Sequence, residues 1–167
     1  MKKQIKRRLP QWYKSNEDYG LILTDDLDSL LGCAIIQSVK PNWKIEQAMI
    51  FKGNKKRYEQ GKDSVLKDYL GITSNATHEC IGVDLALQQG KCFDNHLYRI
   101  SGADKINQES INLNNVFGIT KQSYYKKYCS STVLLLWSLY DLPKENLSEE
   151  LMMVLLAIDG TYTVNAP

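Results

Sequence analysis

Short apolar runs of this sequence end in acidic residues, and this pattern constrains the fold more than any other feature. The acidic and imidazole residues concerned are Asp26 and Asp28 after residues 21–24, Asp84 after residues 81–83, and Asp94 with His96 after residues 92–93. Parallel strands present their carboxyl ends to one crevice, so side chains just past several strands converge there. We therefore expect a parallel sheet with an acidic site at one edge.

Hydrophobic patterning supports an α/β fold. Strands are predicted at 21–24, 45–51, 79–83 and 91–93, and apolar residues recur at helical spacing over 29–39. The sequence also predicts a polar, lysine-rich loop at 53–61, a short helix at 63–70, a long ordered loop at 101–118, and two apolar helices at 122–140 and 147–158. Strands that alternate with helices indicate an α/β sheet.

Length and composition fit one compact domain. The chain has 167 residues, 43% of them hydrophobic, and a net charge of +2, which is ordinary for a globular protein. We predict a basic N-terminal arm over residues 1–17 and a single α/β domain over 18–167. No run is long enough to cross a membrane and no apolar signal core follows the basic start. We expect a cytoplasmic protein without a membrane partner.

Cysteine spacing argues against a zinc ribbon or a redox motif. No Cys-x-x-Cys pair occurs among Cys33, Cys80, Cys92 and Cys129. We predict free thiols. Convergent carboxylates with an imidazole instead suit manganese or magnesium, and a metal pair activates water for attack on phosphorus. The residues alone thus predict metal-dependent phosphoester chemistry.

Four motifs in this order resemble the DHH phosphoesterases, over about residues 18–165. The motifs are Asp26-Leu27-Asp28, the lone Asp84, the triplet Asp94-Asn95-His96, and Ala157-Ile158-Asp159-Gly160-Thr161, with a small-residue helix start at 128–135 between the last two. The resemblance implies a Rossmann-like, mostly parallel sheet flanked by helices. It also implies Mn²⁺ or Mg²⁺ at two sites, held by Asp26, Asp28, Asp84 and Asp159, with Asp84 bridging the ions. Asp94 and His96 would be catalytic, with His96 on the scissile phosphate.

Two features depart from that family. The family's histidine before the Asp-x-Asp pair is missing, and Asn95 replaces the first histidine of the triplet. The candidate replacements are Asp25 or Thr24 for the first histidine and the Asn95 amide oxygen for the second. An amide ligand suits magnesium or calcium better than transition metals. The family's smaller C-terminal domain also does not follow the fourth motif, so we expect a second domain or a partner chain to complete the cleft.

Three functions are compatible with these residues. The first is a phosphoesterase acting on a nucleotide or single-stranded nucleic acid. The second is a catalytically silent domain that binds a nucleotide, a nucleic acid or a protein. The third is a haloacid dehalogenase-type phosphatase with Asp26 as nucleophile and Asp28 as acid–base. A purely structural role is also open, because carboxylates cap helix N-termini.

The basic start of the chain is a second candidate for nucleic-acid contact. Residues 2–8 are rich in lysine and arginine, and Trp12, Tyr13 and Tyr19 follow them. Such a segment can track a phosphate backbone while the aromatic rings stack on bases. The alternative is a solvated, mobile terminus.

Overall fold

The structure is a computed structural model that describes residues 1–59, 62–73, 76–127, 131–143, 145 and 147–164, with side chains described outside 51–73 and 159–164. Its strands are β1 Gly20–Thr24, β2 Lys44–Glu59, β3 Lys62–Thr73, β4 Cys80–Val83, β5 Cys92–Phe93 and β6 Ser110–Ile111. Its α-helices are α1 Lys3–Lys6, α2 Leu27–Val39, α3 Leu113–Val116, α4 Thr132–Leu139 and α5 Glu149–Val164. Two 3₁₀ helices cover Gln11–Lys14 and Lys121–Lys126.

These strands form one sheet in the order β3-β2-β1-β4-β5-β6. Neighbours pair in parallel except β3, which joins the edge antiparallel to β2. The predicted Rossmann-like α/β fold is confirmed. From β1 the chain moves to β2 on one side and later to β4 on the other. The strand order therefore reverses between β1 and β4, which is where open α/β sheets form their binding crevices.

Helix α2 packs closely on the centre of the sheet. At Gly32 an added Cβ would lie 2.8 Å from Cγ1 of Val83 on β4, so only glycine allows this approach. Cys33 and Ile36 of the same helix are fully buried. Leu135, Leu136 and Leu139 of α4 belong to the same core as the strand residues Leu21, Ile81, Val83 and Phe93. This packing holds the ends of β1 and β4 side by side.

Four predicted elements differ from the structure. The loop predicted at 101–118 contains β6 and α3. The helix predicted at 63–70 is wrong, because these residues belong to β3. The loop predicted at 53–61 is wrong over 53–59, because those residues belong to β2. Val65, Leu66, Tyr69 and Leu70 recur at helical spacing in the sequence, but β-branched and aromatic residues favour a strand once β2 is available for pairing. The helix predicted at 122–140 is divided between the 3₁₀ helix at Lys121–Lys126 and α4.

The predicted basic arm, residues 1–17, packs on the domain. Leu9 and Tyr13 belong to the hydrophobic core, and Ile5 and Trp12 contact it. Their spacing of three or four residues places an apolar face between the exposed lysines and arginines. Cys33, Cys80 and Cys92 are free thiols, as predicted, whereas Cys129 lies outside the described residues. Within the described chain, no helix has the length and apolarity required to cross a bilayer.

Candidate metal centre

Ser29, in the first turn of α2, forms hydrogen bonds to the carboxyl ends of both β1 and β4. Its buried hydroxyl accepts a hydrogen bond from the Thr24 backbone N at 2.9 Å and donates one to the Val83 carbonyl at 2.8 Å. Both strands therefore end at a fixed distance from the helix start. The residues that follow them, Asp26 and Asp84, are brought to the same crevice.

Asp26 is the N-cap of α2. Its carboxylate accepts from the Ser29 backbone N at 2.8 Å and from the Thr24 hydroxyl at 3.2 Å. A carboxylate here satisfies a free amide of the helix and complements its dipole. Asp26 therefore has a structural role of the kind that the sequence leaves open.

Asp28 binds the N-terminus of α4. Its two carboxylate oxygens accept from the backbone N of Thr132 at 2.8 Å and of Val133 at 2.7 Å. Burial, together with the charge of Asp84, raises the pKa of Asp28 to about 7, although the two amides oppose this rise. Asp28 thus links α2 to α4 across the acidic site.

Asp84 follows β4 in a left-handed backbone conformation with φ of 54°. This region is uncommon for residues other than glycine, and aspartate tolerates it better than most. The Asp84 backbone N donates to the Phe93 carbonyl at 2.9 Å, and the carboxylate accepts from the Thr132 hydroxyl at 2.6 Å. Burial raises the pKa of Asp84, while the nearby imidazole of His96 lowers it.

Asp94 and His96 form a second hydrogen-bonded unit beyond β5. Asp94 is fully buried, and its Oδ1 lies 3.0 Å from the His96 backbone N and 2.7 Å from His96 Nδ1. Asn112 donates to Asp94 Oδ2 at 2.9 Å and to the His96 carbonyl at 2.8 Å. The hydrogen bond that Asp94 accepts from the His96 side chain raises the pKa of His96. The buried Asn112 therefore holds both residues in place.

The ligand atoms of Asp84, Asp94 and His96 converge. One atom from each lies within 4.8 Å of the others, and His96 Nδ1 is 3.8 Å from Asp84 Oδ1. Asp84 and Asp94 are buried, whereas the His96 side chain is 53% exposed. The cluster therefore lies at the mouth of the crevice, where a solvent ion can reach it.

The predicted metal ligands are only partly brought together. Asp84 belongs to the cluster, and the predicted catalytic residues Asp94 and His96 complete it. The oxygens of Asp26 and Asp28 lie beside it but accept hydrogen bonds from backbone amides. Of the remaining predicted ligands, Asp25 is exposed and the Asp159 side chain lies outside the described residues. Asn95 is buried, and its backbone carbonyl accepts from Asn114 Nδ2 at 2.9 Å.

The supporting roles of three residues could not be assigned from the sequence. These residues are Ser29, Thr132 and Asn112, which position Asp84, Asp94 and the strand ends. Thr132 lies within the small-residue helix start noted at 128–135, directly after the N-cap Ser131. Asn112 lies in an asparagine-rich segment where nothing distinguishes it from its neighbours.

Three comparisons bear on relatives of the chain. No family model, no curated protein and no solved structure matches it.

Proposed function

We propose that this protein is a Mn²⁺- or Mg²⁺-dependent phosphoesterase whose metal centre is formed by Asp84, Asp94 and His96. The observation that carries the proposal is the convergence of these three ligand atoms within 4.8 Å at the crevice between β1 and β4. Carboxylate oxygens with one imidazole are a ligand set that suits manganese.

The separations fit one octahedral ion after small movements. Ligands about 2.1 Å from an ion lie roughly 3.0 Å apart when adjacent and about 4.2 Å apart when opposite. His96 Nδ1 is 2.7 Å from Asp94 Oδ1 and 3.8 Å from Asp84 Oδ1. Binding requires His96 to give up the proton it shares with Asp94. Side-chain shifts of less than about 1 Å then suffice, on the distances of ideal octahedral coordination.

The chain's own residues supply orientation and charge. The Thr132 hydroxyl holds Asp84 Oδ1, and Asn112 holds the outer oxygen of Asp94. Such outer hydrogen bonds fix ligand geometry. A bound divalent ion supplies polarisation of a phosphoryl oxygen and a water of lowered pKa. The exposure of the His96 side chain supports the expected contact with a phosphate that enters the crevice.

The resemblance to DHH phosphoesterases supports the same proposal, because Asp84 and the Asp94–His96 pair are two of its motifs. One observation favours a second candidate, a catalytically silent domain that binds a phosphate-containing ligand. Both oxygens of Asp28, a ligand in that family, are bound to the amides of α4. A site that lacks this ligand has less negative charge with which to hold two ions.

Turnover separates the two candidates. Wild-type protein with millimolar Mn²⁺ is assayed on a generic phosphate bis-ester and on short oligonucleotides, beside Asp84→Asn. Asparagine tolerates the left-handed backbone at this position. The matched control is Asp18→Asn, because Asp18 is exposed and lies just before β1, at the end of the strand opposite the acidic site.

An enzyme gives turnover in wild type and in the Asp18→Asn control, and loses it in Asp84→Asn. Full-rate turnover in Asp84→Asn contradicts the proposed centre. Phosphate-ligand binding without turnover in wild type identifies the silent domain.

A further inference from the structure

We propose that the extended ribbon of β2 and β3, residues 50–59 and 62–70, is a nucleic-acid-binding arm that holds a phosphate backbone beside the metal centre. The arm's role in presenting substrate rests on the proposed phosphoesterase function, whereas its binding of nucleic acid is independent of it.

The ribbon leaves the sheet at the edge that carries the acidic site. β2 pairs with β1 up to Met49, opposite Thr24, and then continues to Glu59 with β3 as its partner. Ten residues of strand correspond to about 33 Å. Because β1 and β2 are parallel, this extension points past the carboxyl end of β1, where Asp26 begins the crevice.

Positive charge is concentrated on this arm. Residues 52–67 contain six basic and two acidic residues, a net charge of +4. Since the whole chain carries +2, the remainder carries −2. The antiparallel register pairs Arg57 with Ser64 and Glu59 with Lys62. By this backbone register, Lys55, Arg57, Glu59 and Lys62 belong to one face of the ribbon, three basic residues and one acidic residue.

A cationic arm would offset the negative charge of the acidic crevice. The crevice is lined by Asp26, Asp28, Asp84 and Asp94, which repel a polyphosphate. Neutralising phosphates on an adjacent cationic surface releases counterions and supplies binding energy that the acidic crevice lacks. A long ribbon engages several phosphates at once, which favours a nucleic acid over a mononucleotide.

The N-terminal basic segment is less well placed for this role. The Met1 amino group donates to the Ser138 carbonyl at 2.6 Å and lies 2.9 Å from Asp141, beyond the C-terminal end of α4. The opposite end of α4 is bound by Asp28. A helix of eight residues is about 12 Å long, so α4 separates the first residues of the chain from the metal centre.

The test is fluorescence anisotropy with a labelled 20-nucleotide single strand in EDTA, across a range of salt concentrations. A net charge of +4 predicts a slope of log K against log salt near −3, at about −0.7 per phosphate contact. The ribbon variant is the triple substitution Lys55→Gln, Arg57→Gln and Lys62→Gln. The control removes the same charge from the exposed positions Lys2→Gln, Lys3→Gln and Arg7→Gln.

The ribbon variant should bind at least tenfold more weakly, and its slope should become about 2 smaller in magnitude. The control should keep the wild-type slope. Equal losses in the two variants, or no loss in the ribbon variant, overturn the proposal. So does binding to phosphatidylserine vesicles without binding to the oligonucleotide.

A duplex of the same length, measured in parallel, identifies the preferred form, and tighter binding of either form supports the proposal. Because EDTA removes metal, this result is separable from the metal centre. Oligonucleotide binding without Mn²⁺ binding would contradict only the proposed function. Mn²⁺ binding without oligonucleotide binding would contradict only the proposed arm. Tryptophan fluorescence confirms that each variant is folded, since Trp43 is buried in the core.

Discussion

Replacement of Asp28 by alanine should destabilise the protein most strongly in mild acid. The carboxylate accepts from the amides of Thr132 and Val133, which are 0% and 1% exposed. Water cannot replace it there, so alanine leaves two buried donors without partners. At about 1–3 kcal/mol for each, we expect a loss of roughly 2–6 kcal/mol when Asp28 carries no charge.

The cost of that substitution should fall as pH rises. The folded-state pKa of Asp28, about 7, lies above its ordinary value of 3.8, so the folded protein holds the proton more tightly than the unfolded chain. The stabilisation that protonated Asp28 contributes to the folded state is therefore fully present below about pH 4 and is lost as the pH rises through 7. A pKa difference of about 3 is worth at most about 4 kcal/mol. Near pH 8 the net cost of the substitution should therefore lie between about −2 and +2 kcal/mol.

Urea unfolding at pH 5 and pH 8, followed by tryptophan fluorescence, measures both effects. Asp28→Asn retains one acceptor oxygen without a titrating group, so it should be milder than Asp28→Ala at pH 5. Asp18→Asn, an exposed carboxylate, serves as the control. A cost of Asp28→Ala that grows with pH would refute the reasoning, because the helix amides would then outweigh the burial of the charge.

Three further substitutions test the packing of the site. Ser29→Ala removes the hydroxyl that bridges Thr24 and Val83, and it should lower the unfolding free energy in urea by about 2–4 kcal/mol. Its control, Ser38→Ala on the exposed side of α2, should lower that free energy by less than about 0.5 kcal/mol. Gly32→Ala places a Cβ 2.8 Å from Val83 Cγ1 and should lower the unfolding free energy by about 1–3 kcal/mol; an unchanged value would mean that α2 can move away. Asn112→Ala releases Asp94 and should weaken Mn²⁺ binding by about 10–100-fold in calorimetry, and unchanged affinity would show that Asp94 needs no support.

The centre of the fold follows from local sequence patterns. β1 and β4 are apolar runs followed by aspartate, and α2 has apolar residues at helical spacing. These signals suffice for a parallel sheet and for the convergence of Asp84 with the Asp94–His96 pair, because parallel strands end at one edge.

The contacts of Asp28 and the ribbon could not be predicted in the same way. The amides that Asp28 binds are 104 and 105 residues away, and no local pattern indicates such a partner. In β3, two adjacent apolar residues, Val65 and Leu66, break the alternation of apolar and polar residues that marks a half-buried strand. β3 is an edge strand, and its partner is the extended part of β2. Long-range partners thus decide both features.

Calorimetric titration of Mn²⁺ at pH 8 tests the central claim most directly. We expect saturable binding by wild type and by Asp18→Asn, and at least tenfold weaker binding by Asp84→Asn and His96→Ala, a difference of at least about 1.4 kcal/mol. Equal Mn²⁺ affinity in all four proteins would contradict a metal centre formed by Asp84, Asp94 and His96.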